Sequence, residues 1–167
     1  MKNTNKNEES DLTVEIYEQE EASVEVSDIE YAIDNGRGDK TEFYEDISGE
    51  NDGCLAITAC SLANNGGGQI LLGVDKEGEK KGVQNTATET VREILIRDLE
   101  RRWDTKFVIS EVEIDGKRII IIIIDKFKKY PLTADGRFYL RHQDEDLLLP
   151  PHEVYRMMKN IQSELDD

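Results

Sequence analysis

Two runs of cationic side chains have the clearest capacity for chemistry: Arg97, Arg101, Arg102 and Lys106, and then Lys126, Lys128 and Lys129. Guanidinium and ammonium groups at close spacing suit phosphate oxygens, so these runs are the electrostatic case for a nucleic-acid contact. The competing assignment is a solvated, salt-bridged surface, because Asp98, Glu100 and Asp104 interleave with the first run. Cys54 and Cys60 lie six residues apart among small apolar neighbours and read as core packing. With no Cys-x-x-Cys pair, and only His142 and His152 to join them, no metal site is expected. No Gly-x-x-x-x-Gly-Lys-Ser/Thr loop occurs, and no cofactor is expected.

The net charge of −16 argues against a nucleic-acid partner only as an average, and its distribution matters more. The first 35 residues hold eleven acidic side chains against two lysines, whereas residues 36–163 hold 23 against 19 and are only mildly acidic. Positions 1–27 therefore read as an acidic arm, 28–160 as the domain and 161–167 as an acidic tail. The 167 residues, 37% hydrophobic, suffice for one ordinary core. No apolar run approaches the roughly 20 residues that span a bilayer, and Met1 to Ser10 is polar. A cytoplasmic protein without membrane contact is expected.

The elements that would position these groups follow from pattern. Alternating Leu12, Val14, Ile16 and then Val24, Val26 predict one or two strands within Asp11–Val26. Ser27-Asp28-Ile29-Glu30 has capping-box spacing, and Gly36 supplies a stop, so a short helix is predicted between them. Leu55 to Ala63 reads as a largely buried helix. Thr86-Ala87-Thr88-Glu89 is a second capping box, opening a helix with Val91, Ile94, Leu95, Leu99 and Trp103 on one face. Val108–Ile114, Asp115-Gly116 and Arg118–Asp125 predict a hairpin with a type I′ turn. Six consecutive isoleucines, Ile119 to Ile124, need burial on both faces, as a central strand or a subunit contact. Pro150-Pro151 opens a final helix whose Val154, Met157, Met158 and Ile161 form an apolar face for core or homodimer contact.

The most specific pattern is Ser61-Leu62-Ala63-Asn64-Asn65-Gly66-Gly67-Gly68-Gln69-Ile70-Leu71-Leu72-Gly73-Val74-Asp75. It reads as a helix end, a turn built by Asn64, Gly66, Gly67 and Gly68, and a buried strand. Because phosphate loops run strand, loop, helix, this reversed order argues for a helix stop rather than a phosphate cradle. The pattern resembles the core of the Schlafen AlbA_2 domain, a nucleic-acid-binding family. Thr41-Glu42-Phe43-Tyr44 stands where that family has Leu-Glu-Phe-Lys, and Gly136-Arg137-Phe138-Tyr139-Leu140-Arg141 matches its tyrosine and arginine strand. The resemblance covers about Ile29 to Met158. It implies an α/β (α+β) fold: a curved, mostly antiparallel sheet packed by helices.

The resemblance also implies where chemistry would sit. Family members that cut RNA use three acidic residues around a divalent metal. In the matching positions this chain keeps Glu42 but carries Arg37 and Lys76 in place of the other two acids. One carboxylate beside two cations does not hold a catalytic metal, and the expectation leans away from an enzyme. The expected function is a non-catalytic nucleic-acid-binding module in regulation or a defence complex, through Arg37, Lys76, Arg97, Arg101, Arg102, Lys128, Lys129 and Arg141. Its rivals are a protein-interaction subunit that engages a partner through residues 1–35, and a metal-dependent endoribonuclease that uses Glu42. An internal salt bridge from Arg37 or Lys76 to Glu42 is the plain structural alternative to a binding site.

Overall fold

The computed structural model describes residues 16–18, 24–47, 52–98, 105–128 and 130–167. Its main sheet has the order β1 (Ile16–Glu18), β4 (Phe107–Ile114), β5 (Lys117–Asp125), β3 (Gly67–Leu72), β2 (Thr41–Tyr44). The outer pairs β1–β4 and β2–β3 are parallel, and the inner pairs β3–β5 and β4–β5 are antiparallel. A separate antiparallel hairpin, β6 (Tyr139–His142) with β7 (Glu145–Leu148), packs its first strand on helix α2 (Asp52–Asn64). Helices α1 (Val26–Asn35), α3 (Thr88–Asp98) and α4 (Pro151–Asp166) complete an α+β architecture.

The isoleucine run explains the layering. Side chains alternate across a strand, so Ile120, Ile122 and Ile124 enter the cluster built with α2 and α3, while Ile119 and Ile121 enter a second cluster with Ile29, Ala32 and Ile33 of α1. β5 is thus the central strand, apolar on both faces, as the sequence requires. The preceding turn has Asp115 at φ 52° and Gly116 at φ 73°, the two positive angles of type I′. Alternation on β2 sends Phe43 toward α1, and Tyr44 packs on the α2 side.

Several local expectations change. The helix expected from a Ser27 capping box starts two residues earlier, at Val26, and its N-cap Glu25 makes no side-chain cap. α3 begins at Thr88, two residues after Thr86, whose hydroxyl donates to Asp46 Oδ1 at 2.6 Å. α1 buries Ile29, Ala32 and Ile33 against the sheet, so this helix packs on the domain and its other residues are exposed. α4 runs through the expected tail to Asp166. Within the stretch predicted as strands, β1 spans Ile16–Glu18; Leu12 and Val14 lie outside the described residues, as do Leu99 and Trp103.

The glycine turn has a steric basis. Gly66 and Gly67 adopt φ 90° and 92°, angles that end α2 and aim the chain into β3. At Gly68 the obstacle is space: a Cβ would stand 2.5 Å from the Lys40 carbonyl oxygen. Gly68→Ala is expected to cost about 2–3 kcal/mol in urea unfolding through overpacking against backbone. Gly53→Ala, a helical position with open space around it, should be neutral or stabilise by up to about 1 kcal/mol.

Candidate functional site

Glu42 lies on the same side of β2 as α2, and its side chain is 6% exposed. Its carboxylate meets two guanidinium groups. Arg37, from the loop after α1, spans it with Nε on Oε1 at 2.5 Å and Nη2 on Oε2 at 3.0 Å. Arg141, from β6, adds Nη2 on Oε2 at 3.0 Å, and the Phe43 backbone N–H donates to Oε1 at 2.8 Å. A carboxylate offers about four lone-pair positions, and these four donors use them. Arg37 also reaches Asp144 Oδ2 at 3.5 Å. Its pKa is raised, chiefly by the hydrogen bond to Glu42.

Arg141 has no exposed side-chain surface. Nε donates to the carbonyls of Gly38 and Gln143, Nη2 to that of Thr41 at 3.2 Å, and Nη1 to Asp146 Oδ1 at 2.8 Å. Asp146, opposite Arg141 in the hairpin register, also accepts from Ser61 and, at 2.6 Å, from Thr58 of α2. The Thr58 hydroxyl lies 2.7 Å from the Tyr44 hydroxyl. One polar network therefore joins β2, α2, the loop after α1 and the β6–β7 hairpin. Burial pushes Tyr44 up to about 12 and the Cys60 thiol up to about 12.

The network corrects the expected site. Arg141 is not available to a nucleic acid, because all its guanidinium nitrogens are engaged internally and covered. Arg37 forms the internal salt bridge with Glu42, the plainer of the two alternatives. Lys76 is not joined to this pair: it is exposed, in a shallow pocket with Glu45, Asp46, Asp75 and Glu77. Arg97 is exposed and bridges Asp98 at 2.6 and 2.9 Å. Lys128 is exposed, while Arg101, Arg102 and Lys129 lie outside the described residues. Asn64 does more than end a helix. Its amide donates to the Leu132 and Tyr139 carbonyls and accepts from the Leu132 N–H, tying the approach to β6 onto α2.

Sequence reasoning missed Asp146, Thr58 and Ser61. A usable signal existed in Arg141-His142-Gln143-Asp144-Glu145-Asp146, where a two-residue hairpin places Arg141 opposite Asp146 as a cross-strand ion pair. Among the described residues, no group of three or more His, Cys, Asp or Glu is placed to hold a metal ion. With Glu42 fully engaged by arginines, the residues do not fit the metal that the nuclease reading needs.

A mixed five-stranded sheet between helices, with an appended hairpin held by a buried arginine and carboxylate network, defines the class of domain. The family model described as Schlafen, AlbA_2 matches residues 25–150, and the chain belongs to that family. Among matching solved structures is the DIP2311 protein from Corynebacterium diphtheriae, at TM-score 0.60 and 17% identity. The match covers 80% of this chain and 28% of that one, and it supports the fold alone. No curated protein matches.

Removing one partner of a buried ion pair leaves the other uncompensated. Arg141→Met should therefore cost about 3–5 kcal/mol in urea unfolding, and Arg37→Met distinctly less, since Arg37 is 21% exposed. Tyr44 and Cys60 are held neutral in the folded protein. Because their folded values lie above the unfolded ones, the associated stability is complete below those unfolded values. It is lost as pH rises through the unfolded values toward about 12. Urea midpoints measured from pH 8 to 11 should fall, and Tyr44→Phe should flatten part of that decline.

Proposed function

We propose that this chain is a non-catalytic nucleic-acid-binding domain of the Schlafen AlbA_2 type, working in the cytoplasm as a homodimer in regulation or a defence complex. The family supplies the ligand class. The observation that carries the non-catalytic part is the saturation of Glu42: two guanidinium groups and a backbone N–H occupy the positions a metal would need. Arg37 and Arg141 then serve to hold the fold, and binding falls to exposed cations elsewhere. Homodimer contact is assigned to α4, which buries none of its residues and leaves Tyr155, Met158 and Leu165 exposed.

A second reading, a subunit that binds protein and no nucleic acid, draws on the same apolar residues together with Leu147 and Leu148 of β7. Its acidic contact with a partner falls on residues 1–35, including the exposed side of α1.

Labelled single- and double-stranded RNA and DNA, titrated with Mn²⁺ present, should bind without being cut. For about four phosphate contacts on a single strand, affinity should drop roughly 50-fold between 50 and 200 mM salt. A flat salt response would sink the nucleic-acid reading. Cleavage that disappears in Glu42→Ala would overturn the non-catalytic assignment.

A further inference from the structure

Helix α4 carries more apolar surface than the domain covers. Met157 and Ile161 line a groove beneath it with Phe127 and Leu140, and Ile161 packs on the main core. At about 100° per residue, the apolar arc continues past them through Val154, Leu165, Met158 and Tyr155. Val154 is half-buried, and Tyr155, Met158 and Leu165 are exposed, Leu165 at 63%. Val154, Met158, Ile161 and Leu165 recur at intervals of four, three and four residues, the spacing of a seam between paired helices.

At the N-terminal end of α4 this stripe runs into an apolar groove of about 500 Å³, lined by Phe138, Leu148, Leu149, Pro150, Pro151 and Val154. Leu165 does not reach the groove of its own chain, because it stands 11 residues beyond Val154 on the same helix, about 16 Å along the axis. Groove and exposed leucine thus lie at opposite ends of one helix, an arrangement that a two-fold axis makes self-complementary.

We propose that two copies of this chain pair through antiparallel α4 helices, and that Leu165 of each fills the groove of the other. The inference rests on the homodimer part of the reading above and adds its geometry. Setting Leu165 level with the partner's Val154 also sets Met158 level with the partner's Ile161, the alternating layers of an antiparallel seam, and both grooves are filled by one register.

Charge selects the direction. Glu164, Asp166 and Asp167 crowd the last turn of α4, whereas His152 lies in its first turn and Arg156 and Lys159 in its middle. A parallel pair sets the two acidic turns side by side. The antiparallel pair sets each of them by the partner's first turn, where no side chain caps the helix and the macrodipole is positive. Glu153, at that same level, lines the groove beneath the helix and pairs with Arg156 at 3.2 Å. A helix of 16 residues, about 24 Å long, is a small interface by itself, and the groove with exposed Leu147 and Leu148 beside it enlarges the contact.

The test uses the full chain carrying Cys54→Ser, which removes the exposed cysteine. Sedimentation equilibrium over a range of concentrations should show a dimer. Leu165→Gln should raise its dissociation constant about hundredfold, roughly tenfold for each of the two leucines withdrawn from an apolar groove. The urea midpoint of that variant, measured where both proteins are monomeric, should match the parent's, since Leu165 is exposed in the single copy. On oxidation, Val154→Cys mixed with Leu165→Cys should give a disulfide-linked dimer. Leu165→Cys alone should not, its two thiols standing about 16 Å apart along the axis. A dimer that Leu165→Gln leaves intact, or in which Leu165→Cys links to itself, overturns the antiparallel arrangement and leaves the homodimer standing. A monomer at every concentration overturns both, and the RNA titrations above read the nucleic-acid assignment separately.

Discussion

The buried Glu42 carboxylate is the constraint around which the α2 side of this domain is arranged. Burying a charge costs several kcal/mol per ion unless neighbours replace its water. Here the replacement comes from three places, of which only the last is far away in sequence: Arg37 in the loop after α1, the Phe43 N–H on β2 itself, and Arg141 on β6. Arg141 carries its own burial cost, which Asp146 and three backbone carbonyls offset. Asp146 in turn is held by Ser61 and Thr58 of α2. Each group is needed because the one before it is buried. The small β6–β7 hairpin, whose Leu147 and Leu148 stay exposed, is fixed by this chain of dependencies together with the Asn64 clamp.

That arrangement shows what could be read from the sequence and what could not. The isoleucine strand, the Asp115-Gly116 turn and the glycine stop after α2 were legible, since each is a local consequence of side-chain alternation or allowed φ. The family motif added the order of elements. Arg141 was legible as a motif residue but not in its role: arginine is mostly a surface residue, and only the hairpin register and the fold of β6 onto α2 enclose it. The two capping boxes misled for a related reason. Their spacing is correct, yet α1 begins at Val26 and α3 at Thr88, and Thr86 finds a partly buried partner in Asp46, a residue 40 positions away.

Arginine at position 37 has a physical logic that connects stability with chemistry. An acid at that position beside Glu42 would leave two carboxylates repelling each other without a cation between them. A guanidinium supplies that cation covalently, in bidentate geometry suited to a carboxylate. The same guanidinium uses acceptor positions that a metal would require. Lys76, out beyond β3 among acidic neighbours, takes no part in it.

Net charge is a poor guide to partners in a chain so organised. The sum of −16 adds an acidic leading segment to a body whose positive groups are partly buried, partly paired and partly gathered by strand register at one end. Arg141 counts toward the sum but presents nothing to solvent. Lys40, Lys106, Lys126 and Lys128 are scattered over almost 90 residues, yet strand order and direction bring them to one end of the sheet, where Lys40 is bonded to the Asn65 carbonyl. A ligand senses that local grouping over roughly one Debye length, about 8–10 Å at moderate salt, and does not sense the total. The fold, more than the composition, sets what a ligand meets.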